Sequence, residues 1–108
     1  MSSQQYNELE DFIEGDYISI KEGESRVMDF DINKVQLVEK TDFNGNPTKK
    51  VQFIVTNHGD PAKREKKFEV SRKHAAKIYN ELKKGNIVLE IFRTGQEKQT
   101  EYHVKAIR

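Results

Sequence analysis

The stretch from Lys34 to Asn57, KVQLVEKTDFNGNPTKKVQFIVTN, constrains this chain more than any other. Its two arms carry Val, Leu, Ile and Phe at alternate positions, the period of a strand with one buried face. Asp42-Phe43-Asn44-Gly45-Asn46-Pro47 joins them, and Asn-Gly supplies the positive φ angles of a tight turn. Both arms are long for an ordinary hairpin. This reads as the central ribbon of a small β-barrel with a protruding loop at its tip.

The flanking segments supply the other elements. Asp16–Ile20 alternates, a turn follows at Lys21–Glu24, and Ser25–Ile32 is extended again, with Asn33 marking a bend or bulge before Lys34–Lys40. Lys66–Val70 is a short strand with Phe68 and Val70 inward and Lys67 and Glu69 outward. Ser71 then changes the period. It suits an N-cap, Ala75, Ile78, Tyr79 and Leu82 form one apolar stripe, and Gly85 is placed to end the helix. Asn86–Arg93 and Thr100–Ile107 complete five strands with one helix between the third and fourth. That order predicts a mostly β protein, a five-stranded OB-fold Greek-key barrel over residues 16–108; an open α+β sheet of the same order is the competitor. Residues 1–15 read as an acidic leader, flexible or docked as a short helix through Tyr6, Leu9, Phe12 and Ile13.

Charge is distributed unevenly. Residues 1–24 hold seven acids against Lys21 alone, a net −6, and the remainder holds eighteen Lys and Arg against eleven acids, a net +7. A basic body with an acidic leader fits a polyanion binder. The absence of Cys excludes disulfides and thiolate chemistry, and no apolar run reaches the length of a membrane span, so a cytoplasmic protein is expected. His58, His74 and His103 have no ligand spacing, no phosphate-loop or nucleophile-elbow motif occurs, and Asp29 with Asp31 supplies only two carboxylates. No enzyme, metal or cofactor is expected.

In a barrel of this class ligands cross the second and third strands between the loops that flank them. With Val51, Phe53 and Val55 inward, Lys50, Gln52, Ile54 and Thr56 point out, joined by Lys67. Phe43 and Lys49 belong to one loop, and Phe92, Arg93 and Lys98 to the other. Cations tracking phosphates and flat faces for bases are what single-stranded nucleic acid requires. Against this, Phe43 as a lid over the barrel mouth and Phe92 as core stay open, and Lys63-Arg64 with Lys66-Lys67 reads equally well as a solvated charge run.

The segments YISIKEGESRVMDFDI, KTDFNGNPTKKVQFIV and VLEIFRTGQEKQTEYHVKAI resemble single-OB-fold, single-stranded DNA-binding proteins of microbial and phage replication. The resemblance spans most of Tyr17–Ile107. It implies a module that coats single strands in replication, repair or recombination, with Lys49, Lys50, Arg93 and the loop aromatics at the cleft. The expected partner is single-stranded DNA, with RNA or replication and repair proteins as alternatives; a monomer away from membranes, associated with the nucleoid, is expected. The chain departs from the pattern in having no Trp and in carrying its acidic segment at the N-terminus, where it would compete with DNA for the basic cleft or recruit partners.

Overall fold

The structure, a computed structural model, describes residues 6–96 and 99–108. Two helices, α1 (Glu8–Glu14) and α2 (Arg72–Lys83), and five strands, β1 (Ser25–Thr41), β2 (Pro47–Asn57), β3 (Lys66–Val70), β4 (Val88–Thr94) and β5 (Glu101–Ala106), follow in the order α1 β1 β2 β3 α2 β4 β5. The strands form one antiparallel sheet in the order β3-β2-β1-β4-β5.

The centre of the sheet is β1, which pairs with β2 along most of its length and with β4 through Ser25–Asp29. Met28 and Asp29 pair with both neighbours at once, one along each edge of the strand, and β1 is irregular beyond them. Its register with β2 jumps from Phe30↔Val55 to Val35↔Phe53, so three extra residues of β1 are accommodated at the expected bulge around Asn33. Met28 and Phe30 face the core before the bulge and Val35 after it. The bulge thus exchanges odd for even positions and keeps the same face apolar.

The tip of the β1–β2 ribbon departs from a two-residue primed turn. Only Gly45 takes positive φ (85°); Asn44 does not. The turn is held by Asp42, whose Oδ1 accepts the Asn44 and Asn46 amides at 2.9 Å each, while its own carbonyl accepts from Gly45.

The sheet is not closed into a hydrogen-bonded barrel, in contrast to the expected closure. β3 and β5 are its two edges, and no ladder joins them. It curls enough for their side chains to meet: Phe68 of β3 packs edge-on against Tyr102 of β5, ring centroids 5.9 Å apart, and Tyr102 packs against His74 of α2 at 4.8 Å. α2 buries Ala75, Ile78 and Leu82 in a core with Met28, Phe53, Val55, Phe68, Leu89 and Ile91. The expected stripe is altered at two positions: Tyr79 is exposed and His74 is buried. Gly85 follows the helix with φ 98°, as its last position requires.

α1 docks through the face opposite to the expected one. Leu9, Phe12 and Ile13 are exposed, and Asp11 is only 4% exposed. The reason lies in β3, whose inward positions are Lys66, Phe68 and Val70. Lys66 points into the end of the curled sheet, and its ammonium meets the Asp11 carboxylate at 2.5 Å and the Asp11 and Gly15 carbonyls. Arg64 and Tyr6 also donate to Asp11 Oδ2, and Asn57 donates to Oδ1. Burial pushes the Asp11 carboxyl up, but bonds from Lys66, Arg64 and Tyr6 outweigh it and hold the pKa at about 2. Half of the Lys63–Lys67 charge run is therefore structural rather than a free solvated face.

Candidate functional site

Strand parity places Lys50, Gln52 and Ile54 on the side of β2 away from the core, and β3 adds Lys67 and Glu69 opposite Ile54 and Gln52. β1 contributes Gln36 and Val38, which stand opposite Gln52 and Lys50. The expected outward set on β2 and β3 is thus brought together on one surface. Gln52 is less available than its parity implies. It is buried beneath its neighbours, accepting from the Gln36 amide at 2.9 Å and donating to Glu69 at 2.6 Å. These three side chains form a polar ladder across three strands.

The aromatic element of this surface comes from a residue that the sequence offered only as one position of an alternating segment. Tyr17 makes a single parallel bridge to Lys67 and is 46% exposed. The Lys67 and Lys40 ammoniums lie 5.4 and 5.6 Å from its ring centroid. An exposed ring with two cations against it brings together the two kinds of group that contact bases and phosphates, the ammoniums having to swing off the ring for a base to stack on it. Nothing local in the sequence could have signalled it, because Tyr17 and Lys67 lie far apart in the chain and meet only through the fold. Lys40 also pairs with Glu69 at 3.1 Å, which fixes its stem across the ladder.

The other candidates are dispersed. Phe43 stands at the ribbon tip, 97% exposed, and does not fold back as a lid. Lys49 is opposite Glu39 and therefore points from the other face of the ribbon to Lys50. Phe92 is neither core nor beside Phe43; it is 38% exposed and rests against His103 on β5, centroids 5.9 Å apart. Arg93 is used within the fold, donating to the Ile20 carbonyl at 2.8 Å and to Thr100 Oγ1 at 3.3 Å. Lys98 lies outside the described residues.

The histidines have separate surroundings. His58 Nδ1 meets Asp29 at 2.8 Å, and His103 Nε2 meets Thr94 Oγ1 at 3.0 Å. Burial lowers the His74 pKa, assisted by the charges of Lys77, Lys73 and Lys50 against the opposing pull of Glu101. Asp31 accepts the Asn33 amide instead of converging with Asp29. Among the described residues no three His, Asp or Glu side chains cluster as metal ligands, and no helix is long and apolar enough to cross a membrane.

Comparison of the chain with protein-family models, with curated proteins and with solved structures found no match.

Proposed function

We propose that this chain is a non-enzymatic OB-fold protein that binds single-stranded DNA with weak sequence preference. The observation that carries the reading is the outer surface of β1, β2 and β3, where the Tyr17 ring lies against the Lys40 and Lys67 ammoniums beside Ile54, with Lys50 further along β2. Stacking on such a ring contributes roughly 1–3 kcal/mol per base without reading sequence, and the lysines supply phosphate contacts. The OB assignment is supported by connectivity. Joining the two edges of the order β3-β2-β1-β4-β5 gives the cyclic order of that barrel, and the helix falls between β3 and β4 as the fold requires. The Phe68–Tyr102 contact lies where that closure would form.

The test is fluorescence anisotropy of labelled oligo-dT at two salt concentrations, with duplex as competitor. Binding should saturate, resist duplex, and weaken with a log–log salt slope of roughly −0.7 per phosphate contacted. Tyr17→Ala should cost about 1–3 kcal/mol of affinity, more than Phe92→Ala. No binding at low salt overturns the proposal. Ribo-oligomers in the same assay decide between DNA and RNA, since only RNA offers the 2′-OH.

A second reading, a protein-interaction module, is favoured by the apolar side of α1, where Leu9, Phe12 and Ile13 are all exposed. Salt-insensitive binding of a protein, lost in Phe12→Ser, together with indifference to oligonucleotides would establish it.

A further inference from the structure

We propose that the cleft at the start of α2 binds a phosphate group. The cleft, about 390 Å³, opens at the seam between β3 and β5 and runs on to Lys50 at the end of the outer surface. Ser71, Lys73 and His74 line it from the start of the helix, Glu69 and Val70 from β3, and Arg93 and Tyr102 from β4 and β5.

Two independent features leave it short of an anion. The first is the helix end. Ser71 holds the extended geometry of an N-cap, φ −70° and ψ 166°, yet its side chain makes no capping bond, and the first turn contains no acid. The first-turn amides and the positive end of the dipole therefore lack the negative partner that a helix of this length normally finds. The second is inside the cleft. His74 is only 7% exposed, and its Nδ1 has no hydrogen-bond partner among the described residues; the buried Nε of Arg93 is in the same condition. Buried polar nitrogens are rarely left so, because an unmade bond there is costly.

The charge balance points the same way. Arg93 bonds only to neutral oxygens, and Lys50 has no ion pair among the described residues. The carboxylates nearby already have cations: Glu101 is held by Lys73 at 2.6 Å and by Lys77, and Glu69 by Lys40. What remains is a net positive charge around uncapped helix amides and two unpartnered buried nitrogens. A phosphate, with several acceptor oxygens and up to two charges, satisfies amides, hydroxyl and ammonium at once. Its source is either the end of a bound strand or a free phosphate compound. The strand-end source rests on the single-strand reading above; the phosphate site itself does not.

The experiment is a ¹⁵N–¹H NMR titration of the full chain with inorganic phosphate at constant ionic strength, with chloride as the control. The Lys73 and His74 amides should shift saturably with phosphate alone. Lys50→Glu should raise the apparent Kd about fivefold or more by reversing one charge at the cleft. Ser71→Asp places a carboxylate on the same amides, so it should block phosphate while leaving the fold intact. Absence of saturable shifts, or wild-type affinity in Ser71→Asp, overturns the proposal. Anisotropy with 5′-phosphorylated and 5′-hydroxyl oligo-dT then separates the sources. Several-fold tighter binding of the phosphorylated end assigns a strand terminus, and equal affinity beside a positive phosphate titration assigns a free compound. Oligonucleotides that do not bind at all would refute the single-strand reading alone, because the phosphate titration contains no nucleic acid.

Discussion

The two helices attach to the same curled sheet near opposite ends of β3: α1 is bonded to Lys66, its first residue, and α2 begins just after Val70, its last. α2 does so conventionally, sinking Ala75, Ile78 and Leu82 into the core, while Lys73 and Lys77 reach across to Glu101 of β5. α1 reverses the arrangement, burying a carboxylate and presenting Leu9, Phe12 and Ile13 to water. Ile78 and Leu82 each contribute on the order of 1.5–3 kcal/mol, and Ala75 less, in any register that buries them. A buried ion pair contributes little net energy over a hydrophobic replacement, yet becomes expensive when one partner is missing. The contrast teaches that α2 is held by area and α1 by the matching of particular atoms.

The sharpest way to break this comparison is Lys66→Ala, which strands Asp11 as a buried, partly compensated charge. Chemical denaturation should show a loss of about 3–5 kcal/mol. A loss below about 1 kcal/mol would mean that the polar dock is not what holds α1. Pairing Asp11→Leu with Lys66→Met should restore only part of that loss, since the apolar pair needs no counter-charge but the buried Asn57 amide and Arg64 lose their acceptor.

On α2 the corresponding change is Ile78→Ala, at a position with no exposure. It should cost about 3 kcal/mol through lost burial and the cavity left behind, with no dependence on pH.

Acid distinguishes the two helices next. Asp11 has a folded pKa of about 2, depressed from 3.8, so its contribution is present above pH 4 and is lost as pH falls through 2. The difference corresponds to about 2 kcal/mol. Exchange protection of the α1 amides should fall across that window before that of α2; simultaneous loss would argue against a separate polar dock.

The smallest effect belongs to Phe12→Ser, which removes an aromatic ring that the fold does not bury. Stability should stay within about 0.5 kcal/mol of wild type. A larger destabilisation would show that the exposed side of α1 is packed in solution.

These elements also mark what could be read from the sequence. The long ribbon, the bulge near Asn33 and α2 were legible because each is written in a local period. The outer set Lys50, Gln52, Ile54 and Lys67 was legible for the same reason, since parity in β2 and β3 follows from Phe53 and Phe68. The inward turn of Lys66 was implied by that parity too, but a lysine in a basic run reads as solvated until its partner is known. That partner, Asp11, lies on a separate helix and leaves no local trace. The same distance hid Tyr17 on Lys67. Grouping Phe43, Lys49 and Phe92 around one cleft failed because alternation along a ribbon separates Lys49 from Lys50, and β1 with β4 carries Phe92 away from the tip. Whether β3 and β5 pair is a question between the two ends of the sheet, which no local pattern decides.

The open seam between those strands has a consequence for behaviour in a crowded solution. A barrel has no free backbone edge, whereas this sheet leaves β5 and part of β3 open to a strand from another molecule, the middle of β3 being covered where Lys67 bonds to Asp16 and Ile18. β3 offers only five residues and β5 six, and the outward positions carry charge or imidazole: Lys67 and Glu69 on one, His103 and Lys105 on the other. Short length and charged outward positions disfavour chain-to-chain pairing at these edges.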